Sequence, residues 1–271
     1  MQPVVTSVRR LAARLRLLHE SRALQARKQD ARRGREMQRA NDNKSYNENS
    51  VAVAARSAES HDCDRANYAR GTDDQPGPER TGGAHRGGVH LSDLSDADAD
   101  AIIAQAAHVR KPGDVAIVSV HWGANWGYEV SADERRFAHR LIDGGIDIVH
   151  GHSSHHPKAI EVYHRKPIFY GCGDFLNDYE GIQGYEGYRD DLALMYFVDI
   201  EPASGKLAAL EIVPLRIKQF RLNRADGQDV DWIRKRLGRE SRRFATSIAA
   251  PTAGRLALSW PGKRALDQPA P

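Results

Sequence analysis

Two mostly apolar runs, residues 115–120 and 146–149, each lead into a histidine-bearing turn of this 271-residue chain. Their length and their content of Val and Ile are typical of buried strands. His121 ends the first run, and His152 lies just beyond the second. The pattern therefore predicts two strands that both present an imidazole where they end.

The stretch between the two runs carries the signals of an amphipathic helix. Ser131 and Glu134 form a capping-box pattern, apolar residues follow at helical spacing, and Gly144-Gly145 ends the element. A strand, a helix and a second strand in this order predict a β-α-β unit with parallel strands and a right-handed crossover. We therefore expect both strand ends at one edge of the sheet, where ligands collect in α/β folds.

Periodicity and turn residues predict four further ordered elements. They are an upstream helix over residues 95–110, hairpins over 159–170 and 192–215, and a basic helix over 229–244. The fold class that we expect is α/β. The folded region is predicted over residues 88–245, followed by a disordered tail over residues 246–271.

The N-terminal third does not resemble a packed domain. Apolar residues spaced by four and three positions predict a basic amphipathic helix within residues 1–40, with the stripe Val4, Val8, Leu11, Leu15 and Leu18. Residues 41–87 are polar and rich in Gly and Pro, which predicts a disordered linker.

Charge is concentrated in the first segment. Residues 1–40 carry eleven Lys and Arg against three acidic residues, a local charge of +8 in a chain of net charge +4. This segment suits an anionic membrane surface, nucleic-acid phosphates or a groove on a partner protein, or no partner at all. Two cysteines give no disulfide framework, and no apolar run approaches the roughly 20 residues of a membrane span. A cytoplasmic location is the expectation.

The candidate chemistry is metal binding. Neutral imidazole is the commonest protein ligand for borderline transition metals. His121, His152 and His155 are predicted to hold one divalent ion such as zinc, manganese or iron, with water in the fourth position. His156 is the candidate proton donor. Three further residues are expected to border the site and contact substrate: Trp122, Glu129 and Asp174.

Each bordering residue also has a purely structural interpretation. Glu129 suits a solvent-facing loop, Trp122 suits packing, and Asp174 suits a turn. His139 lies in a predicted helix and His164 in a hairpin turn, so both are interpreted as surface or hydrogen-bonded residues rather than ligands.

The order and spacing of several motifs resemble the CapA family, whose members are named for capsule or poly-γ-glutamate synthesis. These motifs are His121-Trp122-Gly123, residues 141–147, Gly151-His152 with His155, residues 160–163 and residues 167–175. The resemblance covers about residues 88–220. It implies a calcineurin-like metallophosphoesterase fold, an α/β sandwich, and a phosphoester or anionic polymer as substrate.

The chain also departs from the family pattern. The family's Gly-Asp, Asn-Leu-Glu and Asn-Asn-His motifs, which supply further metal ligands, are not recognisable upstream of Val89, and its Leu-Gly-Asn-Phe stretch is replaced by Cys172-Gly173-Asp174-Phe175. The resemblance thus implies a C-terminal half-domain behind an unrelated leader, as a truncated reading frame would produce. A half-domain of this kind would leave strand edges uncovered in the folded region. Two hypotheses follow: a metal-dependent hydrolase of phosphoesterase type in capsule synthesis, or an inactive fragment whose basic leader binds anionic polymer.

Overall fold

The computed structural model describes residues 7–9, 14–17, 49–54, 90–177, 182–201, 204–252 and 254–263. The strands are β1 (Ser7–Arg9), β2 (Arg14–Leu17), β3 (Asn49–Ala54), β4 (His90–Ser92), β5 (Asp114–His121), β6 (Ile148–His152), β7 (Ile160–Tyr163), β8 (Lys166–Phe169), β9 (Leu192–Ile200), β10 (Leu207–Lys218), β11 (Arg221–Arg224), β12 (Ser247–Thr252) and β13 (Arg255–Ser259). The helices are α1 (Asp96–Val109), α2 (Ala132–Asp143) and α3 (Gly227–Ser241). No helix in these ranges is long and apolar enough to cross a membrane.

The elements form two sheets, so the mixed α/β class predicted from the sequence is confirmed. The first sheet has the order β4-β3-β5-β6-β8-β7, with β1 also paired to β5. The second has the order β12-β13-β10-β9-β2, with β11 paired to β10. Both predicted hairpins are present as antiparallel pairs, β7 with β8 and β9 with β10.

The predicted β-α-β unit is present as β5, α2 and β6. The capping box at the start of α2 is closed by two hydrogen bonds, from Glu134 N to Ser131 Oγ at 3.1 Å and from Ser131 N to Glu134 Oε2 at 2.6 Å. One face of α2 is fully buried through Phe137 and Leu141. Because α2 covers the crossover, β6 returns parallel to β5.

The central strands of the first sheet, β5 and β6, are buried on both faces. Neighbouring residues of β6 illustrate this, since Val149 packs with α1 and α2 while Ile148 packs against the second sheet and α3. Consecutive side chains of a strand point to opposite faces, so each joins a different core. The result is a layer of helices, the first sheet, and then the second sheet.

A buried carboxylate ties together the segments that precede these strands. Asp147, 1% exposed, accepts hydrogen bonds from Arg110 at 2.7 Å, Lys166 Nζ at 2.7 Å and Ala116 N at 2.9 Å. A buried charge is stable only when its hydrogen bonds are made and an opposite charge lies close by. Asp147 has both, and it holds the end of α1, the start of β5 and the β8 strand in place.

The N-terminal expectations need correction where the structure describes the chain. In place of a helix, residues 7–9 and 14–17 are strands, paired antiparallel with β5 and β9. In place of disorder, residues 49–54 form β3, which pairs with β5 from Ser50↔His121 to Ala54↔Ile117. The unpaired edges of β5 and β9 offer backbone hydrogen bonds that outweigh a local helical pattern. The expectation of an uncovered edge is therefore wrong for β5, and the rest of residues 1–87 lies outside the described residues.

The predicted disordered tail also needs correction. Residues 247–259 form β12 and β13, and β13 pairs with β10 through Leu256 opposite Ile212. Leu256 and Leu258 are fully buried, and Trp260 is 7% exposed. These three residues alternate along one face, a period-2 signal that marks a half-buried strand. Residues 264–271 lie outside the described residues.

We expect Leu258→Ala to destabilise the protein, because it removes a fully buried side chain from the second core. The loss should be about 2–5 kcal/mol in the free energy of unfolding, measured by urea denaturation. The control is Val109→Ala, at a side chain that is 42% exposed, where a change within about 0.5 kcal/mol is expected. Equal stabilities of the two variants would show that residues 247–259 do not pack as described.

Candidate functional site

The parallel register of β5 and β6 places two histidines side by side. His121 lies directly opposite His152, and their ring centroids are 5.1 Å apart in an edge-on arrangement. His121 is exposed and His152 is half-buried. His150 lies further back on β6, with its ring 5.7 Å from that of His152 and its Nδ1 3.0 Å from Ser119 Oγ. The edge is thus a row of imidazoles open to solvent at one end, as the sequence predicted for His121 and His152.

Gly151 allows this close arrangement. A Cβ at this position would lie 2.4 Å from Phe169 O and 2.4 Å from Trp122 Nε1. Trp122, which the sequence placed at the border of the site, is only 1% exposed, stacks on Tyr170 and donates its Nε1–H to Tyr170 O at 3.0 Å. Its structural interpretation is therefore the correct one, since a buried ring that fixes the strand ends does not reach a substrate.

The third predicted metal ligand, His155, points to a different partner. Its Nδ1 lies 3.0 Å from Asp174 Oδ2, which also accepts a hydrogen bond from Asn177 Nδ2 at 3.3 Å. The backbone N–H of His155 donates to Asn125 O at 3.1 Å, which anchors the histidine loop to the loop after β5. Asp174 thus contacts His155, and its role at the site stays a prediction.

His156, the predicted proton donor, is enclosed by aromatic rings. It has no solvent exposure, and its ring packs against those of Tyr128 at 4.5 Å, Tyr188 at 4.7 Å and Trp126 at 6.0 Å. Burial lowers the pKa of His156 to about 4, so the ring is neutral at pH 7. A neutral ring without access to solvent does not suit the role of proton donor. The sequence analysis missed this aromatic cluster because its members come from two distant loops.

Glu129 belongs to the loop that follows β5, and it lines a cleft. The cleft has a volume of about 790 Å³, and its walls come from residues 92–94, residues 123–134 and Lys158. Two buried charged side chains, Glu134 and Lys158, line it at 6% and 4% exposure. The sequence pattern indicated Glu134 only as part of a helix cap and gave no signal for Lys158. No local signal could have joined them, because their meeting depends on the packing of α2 against the histidine loop.

The described residues fit a divalent metal in ligand type but not in number. His121 and His152 are adjacent imidazoles, whereas His155 is held by Asp174. Among the residues that the structure describes, no three His, Cys, Asp or Glu side chains converge to hold a metal ion. A tetrahedral site needs at least three protein ligands and an open position. The set predicted from the sequence is therefore not assembled in this arrangement, and we derive no chemical step from a metal.

A family model described as "Bacterial capsule synthesis protein PGA_cap" matches residues 23–179, more than half of the chain. This match begins well upstream of residue 88, where the motif resemblance began, and it includes β3. It therefore takes in part of the segment that the sequence analysis interpreted as an unrelated leader.

Curated proteins give related matches. The chain is 53% identical over 150 residues to a "Probable polyglutamine synthesis accessory protein" of Mycobacterium tuberculosis, covering 55% of this chain and 40% of that protein. It is 30% identical over 123 residues to the "PGA biosynthesis protein CapA" of Bacillus subtilis, covering 45% and 30% of the two chains. A "Capsule biosynthesis protein CapA" of Bacillus anthracis is 28% identical over 124 residues, covering 44% and 28%. The matched region is two fifths or less of each relative's length.

We expect Gly151→Ala to disturb the strand edge, because its Cβ would collide with the Phe169 carbonyl and the Trp122 ring. The free energy of unfolding should fall by about 1–3 kcal/mol, as for other overpacked cores. The shift should also separate the rings of His121 and His152, which histidine NMR chemical shifts would detect. Gly187→Ala is the matched control, since a Cβ there meets nothing within 4 Å. Two variants of equal stability would contradict the close approach at Gly151.

Proposed function

Because the chain belongs to the family of bacterial capsule synthesis proteins designated PGA_cap, we propose that it takes part in the synthesis of a capsular poly-γ-glutamate. The family match over residues 23–179 is the observation that carries this proposal. The names of the Mycobacterium and Bacillus relatives, which refer to polyglutamine, PGA and capsule synthesis, support the same class of polymer.

The finer part of the proposal concerns the edge formed by β5 and β6. We propose that it acts as a metal-dependent site of phosphoesterase type, as the calcineurin-like fold of CapA proteins implies. Three features support it: the paired His121 and His152, their access to solvent, and their position at the carboxyl ends of parallel strands. A divalent zinc, manganese or iron ion there would need ligands beyond those that the described residues supply.

The polymer role is tested in cells that lack the gene for this chain. We expect such cells to contain less poly-γ-glutamate, and the wild-type gene to restore it, as measured by glutamate release after acid hydrolysis of the extracted polymer. A gene carrying His121→Ala and His152→Ala should fail to restore the polymer. The control is His139→Ala, which changes a histidine on α2 that pairs with Glu161 away from the strand edge. Unchanged polymer in the deletion strain would exclude the proposed role.

The same experiment separates the alternative function. If the double histidine variant restores the polymer fully, the chain acts without its strand edge, as an inactive protein whose basic residues 1–40 bind anionic polymer. Replacement by Gln of the Lys and Arg residues between positions 20 and 40, which leaves β1 and β2 unchanged, should then weaken polyglutamate binding and reduce its salt dependence. If that variant binds polyglutamate with unchanged affinity, the alternative fails.

Metal binding has its own measurement. We expect elemental analysis of the purified full chain to find a divalent transition metal that the His121→Ala/His152→Ala double variant lacks. Imidazole nitrogens are the donors that such ions prefer, which is the physical reason for the loss. The His139→Ala protein should retain the metal. Absence of metal from the wild-type protein, even after incubation with zinc or manganese and desalting, would overturn the metal-dependent part of the proposal.

A further inference from the structure

The cleft beside the loop after β5 contains two charged groups whose hydrogen bonding is incomplete. Lys158 Nζ lies 3.9 Å from Glu134 Oε1, too far for a hydrogen bond. Glu134 Oε1 has no hydrogen-bond partner, although the other carboxylate oxygen caps α2. The contact between Lys158 and Glu134 is therefore an ion pair without a direct hydrogen bond. Both side chains line the cleft and are almost completely buried.

Such an arrangement is costly without a ligand. Burial removes water from both groups, and it lowers the pKa of the Lys158 ammonium. Asp147 shows the difference, because that buried carboxylate receives hydrogen bonds from Lys166, Arg110 and a backbone amide. The fold therefore satisfies one buried charge completely, whereas the Glu134–Lys158 pair, which lines a cleft, has no direct hydrogen bond between its two charged groups.

The backbone beside the pair keeps the cleft open. Gly123 has a φ of +72°, and a Cβ there would lie 2.5 Å from Glu134 Oε1 and 3.5 Å from Lys158 Nζ. Any other residue would be strained and would press on the carboxylate. Glu129 lies on the rim, where its negative charge acts on Lys158, and Trp126 and Tyr128 form an aromatic wall.

The charges of the pair select the class of ligand. A simple anion would bind Lys158 but face Glu134 a few ångströms away, and a simple cation would meet the reverse problem. A ligand that carries one charge of each sign on adjacent atoms satisfies both partners. We propose that this cleft binds the zwitterionic part of an amino acid, with its α-carboxylate at Lys158 and its α-ammonium between Glu134 and Glu129.

One consequence rests on the proposed function. In a γ-linked glutamate chain each α-amino group is consumed by an amide bond except that of the amino-terminal residue, whereas every α-carboxylate stays free. Only the amino-terminal residue therefore carries the complete zwitterion. The cleft would hold that end of the polymer, or a free amino acid, and would not bind interior residues.

The binding experiment is isothermal titration calorimetry on the purified full chain. The probes are L-glutamate, D-glutamate and γ-glutamylglutamate, with glutarate lacking the ammonium and 4-aminobutyrate lacking the α-carboxylate. We expect at least one of the first three probes to bind. The affinity of both analogues should be lower than that of this probe by about tenfold or more. No binding by the three amino-acid probes, or equal binding by glutarate, would overturn the proposal.

Two substitutions test the assignment of the charges. Lys158→Met removes the ammonium at similar volume, and Glu134→Gln removes the charge while keeping an acceptor for the helix cap. Each should weaken amino-acid binding by about tenfold or more. Since either variant could unfold, circular dichroism must first show a native spectrum, and Glu129→Gln on the exposed rim gives a further reading with a smaller expected loss. Full affinity in a folded Lys158→Met protein would overturn the proposal.

The matched control is Lys166→Met, because Lys166 is another largely buried lysine that pairs with a carboxylate, Asp147. It should lower the melting temperature without changing amino-acid affinity.

The outcomes also separate this inference from the polymer role. If the gene restores polymer in cells but the purified protein does not bind glutamate, only the cleft assignment is wrong. If the protein binds glutamate but has no effect on the polymer in cells, only the proposed function is wrong.

Discussion

The parallel pairing of β5 with β6 is the constraint on which the rest of the site depends. The pairing sets His121 opposite His152, and the crossover through α2 determines its direction. It also requires Gly151, because the neighbouring strand carbonyl and the Trp122 ring leave no room for a Cβ. A small change in the separation of these strands would therefore change the distance between the imidazoles at their ends.

The two ends of the central strands carry different kinds of charged group. Near the beginning of β5 and β6, the buried carboxylate Asp147 is satisfied by Arg110, Lys166 and a backbone amide. At the opposite ends lie paired histidines, an imidazole–carboxylate pair and a buried Glu–Lys pair with unused hydrogen-bonding capacity. Open α/β sheets gather ligands at the carboxyl ends of their strands, since loops converge there.

One loop connects the histidine edge with the cleft. It leaves β5 at Trp122, whose ring is fixed in the core, and it reaches α2 at the Ser131 cap. Along the way Trp126 packs against the rings of His155 and His156 and also lines the cleft. The proposed amino-acid site and the proposed polymer chemistry thus share a wall. A ligand that moved this loop would change the geometry of both the cleft and the histidine edge.

The sequence by itself determined the elements whose signals are local. The apolar runs, the Ser131–Glu134 capping box and the paired glycines predicted β5, α2 and β6, and the strand-end position of His121 and His152 followed from them. Motif spacing also sufficed to indicate the family. Only the tertiary structure decided the strands at residues 7–9, 14–17, 49–54 and 255–259, because each depends on a distant edge for its hydrogen bonds, and the strand at residues 247–252 pairs with the last of these. It also buried Trp122, turned His155 toward Asp174 and brought Lys158 to Glu134, since those contacts join segments whose proximity no local pattern encodes.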